Sequence, residues 1–240
     1  MYRFRFEKIE QIFEGLEGET IILPLKECAH HKEELSAYNL FVEIPSIIWE
    51  AQEEKRKEML EGFTDAVCEN VGAIQICKEL GIKMHGGMHL NILNTDAVYQ
   101  YAALGLSDVT YSFELPFSKM RNLRPVIPAG IISYGYLPLM KFRNCPGITE
   151  KGCSGCKKDK VLTDRKGEQF RIMCRDSMYS ELLNCVPLYV ADKPMPLVSF
   201  ETLYFTVESK EECEKIYHMV INKEEPDFRR TAGLYNRELL

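Results

Sequence analysis

The sequence lacks any apolar run that approaches the roughly 20 residues needed to cross a bilayer. Residues 1–10 alternate charged and apolar side chains and contain no apolar segment of the kind found in a secretory signal peptide. The chain also lacks the biased composition of collagen-like, coiled-coil or disordered proteins, because 45% of its 240 residues are apolar and 28% are charged. We therefore expect a globular cytoplasmic protein with no membrane partner.

Several catalytic and nucleotide-binding motifs are also missing. No GxGxxG or GxxxxGK[ST] loop follows a predicted strand, so a nucleotide-binding doubly wound fold has no support. No GxSxG nucleophile elbow and no HExxH zinc motif occur. His85 and His89 are four residues apart, but their segment HGGMH is predicted at a strand end, whereas the HExxH motif holds zinc from a helix. The alternative of a catalytic Cys–His pair stays open, since nine cysteines and five histidines offer many combinations.

Short apolar runs alternate with helical segments over residues 1–136. Helices are predicted after the capping residues Ser46, Asn70 and either Asn94 or Thr95, and Gly81 fits the left-handed position that ends a helix. Strands are predicted at Ile21–Leu25, Leu40–Ile44, Asp65–Cys68, Ile82–Ile92, Asp108–Phe113 and Ala129–Tyr134. Strands that alternate with helices at this spacing indicate a parallel sheet, and we predict a (β/α) barrel of the TIM type.

The number of strands limits this prediction. About six strands precede residue 136, whereas a closed barrel has eight. We therefore expect a partial or incomplete barrel, with two alternatives: completion by later strands, or by a homo- or hetero-oligomeric partner. The predicted regions are a barrel-like domain at 1–136, a cysteine-rich region at 137–192 and a small α/β C-terminal extension at 193–240. This extension contains a strand in SFETLYFTV and a helix opened by a Ser209–Glu212 capping box.

Four of the nine cysteines are spaced as a metal-binding set. Cys145, Cys153, Cys156 and Cys174 form the pattern C-x7-C-x2-C-x17-C in a glycine-containing, loop-rich stretch. Four thiolates hold both structural Zn²⁺ and [4Fe–4S] clusters, and spacing alone does not separate the two. Cys185 lies outside the set as a reserve ligand.

The motifs of the same region resemble those of a known family. The runs YGYLPLMKFRNCP, GCSGC, LTDRKGEQFRIMC and YSELLNCVPLYVAD are similar to the signature region of the U32 peptidase family. MHGGMHLNILNTDAV and DVTYSFELPFSKMRNL resemble the last strands of that family's barrel, and TAGLYNREL resembles its C-terminal motif. The likeness covers nearly the whole chain and is greatest to the C-terminal portion of longer members. The chain departs from the family at residues 184–187, where Asn-Cys-Val-Pro replaces the usual Asn-Ser-x-Pro.

This resemblance implies two kinds of activity. The family is named for a collagenase-like peptidase activity, whereas its better-understood members are oxygen-independent hydroxylases that modify RNA bases or a ubiquinone precursor. Those members carry a [4Fe–4S] cluster on four cysteines, which would be Cys145, Cys153, Cys156 and Cys174 here, with Zn as the alternative metal. We expect an iron–sulfur hydroxylase or subunit acting on an RNA base or similar aromatic substrate. The alternatives are a peptidase and a non-catalytic binding module with a structural metal site.

The catalytic residues of a (β/α) barrel lie at the C-terminal ends of its strands. Of the polar residues there, we select His85, Asn91 and Glu114 as catalytic candidates and Tyr134 as a substrate-binding candidate. The full set of polar strand-end residues is Glu43, Glu69, His85, His89, Asn91, Asn94, Tyr111, Ser112, Glu114 and Tyr134.

Charge is unevenly distributed along the chain. The net charge is −6, but residues 141–175 contain ten bases and four acids. Within this stretch, Asp164-Arg165-Lys166-Gly167 has the composition of a turn. Arg165 and Lys166 are substrate-binding candidates, since cationic side chains bind carboxylates and phosphates. The expected partners are RNA or a small carboxylate substrate, contacted through this basic stretch.

Overall fold

The structure is a computed structural model, and it describes residues 1–148, 152–153, 156, 160–175 and 178–236. In chain order the strands are β1 (Tyr2–Arg5), β2 (Thr20–Pro24), β3 (Asn39–Glu43), β4 (Asp65–Cys68), β5 (Lys83–Gly86), β6 (Leu106–Thr110), β7 (Ala129–Gly135), β8 (Pro138–Phe142), β9 (Val161–Thr163), β10 (Gln169–Arg175), β11 (Tyr179–Leu183), β12 (Leu188–Tyr189) and β13 (Phe200–Tyr204). The helices are α1 (Leu25–His30), α2 (Glu53–Leu60), α3 (Val71–Leu80), α4 (Thr95–Ala103), α5 (Phe117–Met120) and α6 (Lys210–Ile221).

Eight of these strands form a closed parallel barrel. Strands β1 to β7 pair in sequence order, and β13 pairs with both β7 and β1. The expectation of a partial barrel is therefore wrong, and the alternative of completion by later strands is confirmed, because β13 closes the barrel within this chain. Strand β1 lies in the charged–apolar alternation at residues 1–10, and β13 is the strand that we had assigned to a C-terminal extension.

Several predicted helix ends are confirmed. The side-chain oxygens of Asn70 and Asn94 accept the backbone N–H groups of Ala73 and Ala97, each at 2.8 Å. Gly81 follows α3 with a φ of 68°, which is a conformation that glycine adopts without strain. Ser209 and Glu212 form the predicted capping box of α6.

The predicted helix cap at Ser46 is wrong. Helix α2 begins seven residues later, at Glu53, and Ser46 is part of the loop that follows β3. The Asn70 side chain donates to the carbonyl oxygens of Pro45 and Ser46, which holds this loop over the end of the barrel. The Ser46 hydroxyl therefore faces another part of the fold instead of a helix N-terminus.

The barrel interior is polar at both ends and apolar between them. Strand β4 and the residue after it illustrate this arrangement. Along their inner face, the acidic Asp65 is followed by the apolar Val67 and then by the acidic Glu69. Val67 packs with Ile22 and Phe41 in a small buried cluster. The main apolar core instead lies outside the barrel, between the strands and the surrounding helices.

Strands β8, β11, β10 and β9 form a separate antiparallel sheet, which we call the cap sheet. It contacts the barrel where parallel strands end, since Tyr179 meets Ser46 and Arg175 meets Glu7. The cap sheet therefore covers the C-terminal mouth of the barrel.

The C-terminal segment is anchored on the barrel wall. Tyr235 is buried, donates to the Ile132 carbonyl at 3.0 Å and stacks on Phe117. No helix in the described ranges is both long and apolar enough to cross a membrane.

Candidate active site

A cavity of about 50 Å³ lies between the barrel mouth and the cap sheet. We call it the mouth cavity. A second cavity of about 20 Å³ extends into the barrel and shares Glu43, Glu69 and Tyr204 with the first. Both cavities have room for water molecules. The polar side chains of the mouth cavity come from strand ends and from the cap sheet: Glu7, Glu43, Ser46, Glu69, His89, Arg175, Tyr179, Glu181 and Tyr204.

Two arginines, the buried Arg5 and the half-buried Arg175, organise the charges at the mouth. Arg5 pairs with both carboxylate oxygens of Glu43, at 2.9 and 2.8 Å, and with Glu7 at 2.6 Å. Arg175 from the cap sheet contacts the same Glu7 at 2.6 Å and Glu181 at 2.7 Å. Glu7 therefore bridges a barrel arginine and a cap-sheet arginine, and it fixes the cap sheet over the mouth.

These contacts keep the carboxylates ionised. Burial alone would raise the pKa of Glu7, but the Arg5 and Arg175 guanidinium groups hold it below its usual value. Burial acts on Glu181 in the same direction, and Arg175 again holds the pKa of this carboxyl below its usual value. The arginines and carboxylates at the mouth therefore neutralise most of each other's charge.

Glu69 and His89 form a pair at the edge of this network. Glu69 Oε2 accepts the His89 backbone N–H at 2.8 Å and lies 2.9 Å from His89 Nδ1. Burial favours a raised pKa for Glu69, but His89 outweighs it and the pKa of this carboxyl is lowered. Because an ionised carboxylate only accepts hydrogen bonds, Nδ1 carries the proton. Nε2 is buried and has no hydrogen-bond partner among the described residues.

A glycine makes the position of Glu69 possible. A Cβ atom at Gly87 would lie 2.1 Å from Glu69 Oε1, so a larger residue there would displace the carboxylate. Gly87 directly precedes the turn Met88–Leu90 that holds His89. The local sequence therefore places the carboxylate against the imidazole.

A lysine and a serine meet at the other side of the mouth. Lys141 Nζ donates to Ser46 Oγ, and Ser46 Oγ lies 3.1 Å from the Tyr179 hydroxyl. Burial lowers the pKa of Lys141, although the nearby Glu181 and Glu69 carboxylates oppose this shift. This group resembles the serine–lysine arrangement of some hydrolases.

His85, a predicted catalytic residue, lines the second cavity inside the barrel and not the mouth cavity. Its Nδ1 lies 2.7 Å from Asp108 and its Nε2 lies 3.1 Å from Asp65, and its ring stacks on Phe41 at 3.8 Å. Arg3 pairs with the same Asp108 through two hydrogen bonds of 2.9 and 2.6 Å. Asp65 is the first residue of β4, so these four ionisable side chains, which we call the lower network, lie toward the N-terminal ends of the strands, where residues usually serve stability.

Asn91 and Glu114, the other predicted catalytic residues, do not line the described cavities. Asn91 is exposed and has a φ of 52° and a ψ of 53°, which makes it the left-handed end of a short turn. The Glu114 backbone N–H donates to Ser112 Oγ in the loop after β6. Asparagine is the non-glycine residue best suited to the left-handed region, which explains Asn91 without catalysis.

The predicted substrate-binding residues are also separated from the mouth cavity. Tyr134 is buried, and its hydroxyl donates to Glu208 Oε1 at 2.8 Å. Arg165 and Lys166 are exposed in the turn between β9 and β10. Asp164 Oδ1 accepts the backbone N–H groups of Lys166 and Glu168, as in the predicted turn.

The cysteine region is described in part. The Cys145 carbonyl accepts the Ile148 N–H at 3.0 Å, and the Cys153 carbonyl accepts the Cys156 N–H at 3.2 Å, so both cysteines begin tight turns. Cys174 lies on β10, next to Arg175. Among the residues that the structure describes, no three His, Cys, Asp or Glu side chains are arranged to hold a metal ion.

Four thiolates are a donor set that zinc and [4Fe–4S] clusters take, but the described contacts bring only the Cys145 turn close to β10. Lys160 connects two parts of it, because its carbonyl accepts the Ile172 N–H at 2.8 Å and its side chain packs on Gly147. The Cys145 turn therefore lies near β10, two residues before Cys174. Ser180, which faces Cys174 across the sheet, has a buried hydroxyl without a partner in the described part of the chain.

Sequence reasoning missed several residues of the mouth. Glu43, Glu69 and His89 were among the polar strand-end residues but were not selected. The signal for the His89 site was Gly87, which permits close approach of the Glu69 carboxylate. Arg175 and Glu181 carry no such signal, because only the folded cap sheet brings them to the barrel.

Comparisons of the chain with protein-family models, with curated proteins and with solved structures find no match. The arguments about function therefore depend on the geometry of the mouth and on the motifs of the sequence.

Proposed function

We propose that this protein is an enzyme whose active site is the mouth cavity, with His89 as its general acid and base. The observation that carries this proposal is the buried Nε2 atom of His89, which lacks a described partner while Nδ1 is held by Glu69. A carboxylate that fixes one ring nitrogen leaves the other free to take a proton from a substrate and to return it.

The reaction is oxygen-independent hydroxylation of an RNA base or similar aromatic group, as the U32 resemblance implies. The cations at the mouth already pair with carboxylates of the chain, which favours a neutral ring as the group that enters. An RNA base would reach the cavity only after leaving its stack, as in other enzymes that modify bases.

A [4Fe–4S] cluster held by Cys145, Cys153, Cys156 and Cys174 would supply electron transfer. Cys174 precedes Arg175 at the end of β10, and both residues line the mouth cavity. Arg175 binds Glu7 there. The position of Cys174 supports a cluster next to the mouth.

Metal analysis tests the cofactor directly. Protein purified without oxygen is expected to contain iron and sulfide in equal amounts, and Cys174→Ser to lose most of both. Cys185→Ser is the matched control, because Cys185 is half-buried nearby but outside the predicted set, and it should keep its iron. Stoichiometric zinc without sulfide would establish the alternative metal and contradict the hydroxylase proposal.

A peptidase is the second candidate, and the contact between Lys141 and Ser46 favours it. A lysine whose pKa is lowered can take the proton of a serine hydroxyl and make it a nucleophile.

Ser46→Ala distinguishes this second candidate. If the protein is a peptidase, the variant should lose cleavage of denatured collagen and labelling by a serine-reactive fluorophosphonate. Ser36→Ala, at an exposed serine in a surface turn, should keep both. Cleavage that survives Ser46→Ala, or that disappears when metal is removed, would argue against the serine mechanism.

A further inference from the structure

Two buried cysteines lie side by side between the barrel and its helix layer. Cys68 is the last residue of β4, and Cys77 lies in the second half of α3. The Cys68 thiol donates to the Cys77 sulfur at 3.7 Å, and both side chains are fully buried. A disulfide bond is about 2.05 Å long, so a local shift of about 1.7 Å would bring the two sulfur atoms to bonding distance.

The local sequence explains why the two thiols meet. Glu69 faces the barrel mouth, so the preceding Cys68 side chain points outward to α3, because successive side chains of a strand alternate. Asn70 caps α3 by accepting the Ala73 N–H, which fixes the residue at which the helix begins. Cys77 then lies on the buried face of the helix, against the strand.

The hydrogen bond changes the chemistry of the pair. Because Cys68 donates its proton, the pKa of the Cys77 thiol is lowered, although burial opposes this shift. The thiolate is the form of cysteine that reacts with oxidants. Burial raises the pKa of Cys28 and of Cys213, two other cysteines of the core. Of these four buried thiols, Cys77 is therefore the one best suited to react first.

The Cys68 peptide is joined to both members of the carboxylate–imidazole pair at the mouth. Cys68 directly precedes Glu69, and its carbonyl oxygen accepts the Gly87 N–H at 3.0 Å. Gly87 packs against the Glu69 carboxylate and directly precedes the turn that holds His89. Movement of Cys68 toward α3 would consequently shift the backbone that positions Glu69 and His89.

We propose that Cys68 and Cys77 are a modification site at which hydrogen peroxide forms a reversible disulfide, and that this disulfide alters the mouth. The Cys77 thiolate attacks one peroxide oxygen, and the O–O bond breaks to give a sulfenic acid and a hydroxide that is protonated to water. The Cys68 thiol then displaces the sulfenic hydroxyl as a second water. Two thiols are thus oxidised while one peroxide is reduced.

The oxidant has a short route to the pair. Hydrogen peroxide is close to water in size, and such molecules reach buried groups when a segment opens locally. Helix α3 is the segment that covers Cys68, and its Gly72 and Ile76 border a surface groove. Opening of this one helix would therefore expose both thiols.

The test treats the native full-length protein with hydrogen peroxide and maps its cysteines by mass spectrometry. Trypsin releases residues 58–78 as one peptide, in which Cys68 and Cys77 are the only cysteines. After alkylation in denaturant, this peptide is expected to be unalkylated and lighter by two hydrogen atoms than the reduced form. Dithiothreitol should restore alkylation of both residues. Cys28 and Cys213 should be alkylated in every sample.

A matched variant and a separate measurement test the effect on the mouth. In Cys77→Ala, Cys68 should stay alkylated after peroxide treatment, and circular dichroism checks that the variant is folded. Nuclear magnetic resonance of isotope-labelled histidine rings follows His89, whose signal is identified by its absence in His89→Asn. Peroxide should shift this signal in the wild type and leave it unchanged in Cys77→Ala.

The outcomes do not depend on the proposed function, since none of these measurements uses turnover or a bound metal. A disulfide together with a shifted His89 signal supports the inference. Full alkylation of residues 58–78 after peroxide treatment, or oxidation of Cys77 to a sulfinic or sulfonic acid, overturns it. A disulfide that leaves the His89 signal in place overturns the effect on the mouth.

Discussion

Replacing Asp108 with alanine should lower the free energy of unfolding by about 3–5 kcal/mol, as when one partner of a buried ion pair is removed. Asp108 accepts hydrogen bonds from Arg3 and His85, and each of the three residues is at most 5% exposed. The variant leaves the Arg3 guanidinium inside the barrel without its carboxylate. Urea unfolding followed by circular dichroism measures the loss.

Asp65→Ala is the matched control for this effect. Asp65 contacts the same imidazole, but its side chain is 20% exposed, so water can replace the lost carboxylate. We expect a clearly smaller loss than in Asp108→Ala, because His85 keeps its shorter contact to Asp108. Equal losses in the two variants would show that burial of the Arg3–Asp108 pair does not dominate the lower network.

The same contacts make the free energy of unfolding depend on pH in the acidic range. Burial alone would raise the pKa of Asp108, but hydrogen bonds from His85 and Arg3 hold it below the usual value. The stabilisation is therefore complete above the pKa of an unfolded aspartate, about 3.9, and is lost as pH falls through the lower pKa of the folded state. Wild-type protein should lose stability below about pH 4 more steeply than Asp108→Ala.

Replacing His89 with asparagine should reduce turnover about 100- to 10 000-fold, the usual contribution of a general acid–base group. The asparagine amide can still donate to Glu69, whereas the group corresponding to Nε2 is lost. Mass spectrometry of hydroxylated nucleosides, in RNA from cells that express each variant as their only copy, measures the effect. Iron content and urea unfolding should stay close to wild type, which separates catalysis from folding.

Asn91→Gly and Glu114→Gln are the controls, because sequence reasoning selected these two residues while the structure places neither in the cavities. Glycine accepts the left-handed backbone of Asn91 without strain, so the fold should be kept. Both variants should retain near-wild-type turnover. A loss in either that matches His89→Asn would move the active site away from the mouth cavity.

Much of the barrel could be predicted from local chemistry. Asn70, Asn94 and Ser209 cap helices through hydrogen bonds within three residues, so the amino-acid types alone indicate them. Strand β1 was missed because its arginines look like surface residues. In the fold, Arg3 and Arg5 point into the barrel, where Asp108 and Glu43 neutralise them from distant parts of the chain.

The candidate site was less predictable because it depends on pairings between distant segments. His85 and His89 lie in one short motif, yet one is held by Asp108 at the lower end and the other by Glu69 at the mouth. Spacing does not reveal this division. Ser46 had the sequence of a helix cap, but contacts from Lys141 and Tyr179 of the cap sheet decide its position.

Closure of the barrel by β1 and β13 also has a consequence for biosynthesis. Tyr2 pairs with Glu201, so the ribosome makes the first strand about 200 residues before its second neighbour. At roughly 5–20 residues per second, one edge of the nascent sheet stays unpaired for about 10 to 40 s. Inward-pointing charges on an edge strand discourage pairing with other chains. Arg3 and Arg5 would thus protect the nascent chain from aggregation until strand β13 has been synthesised.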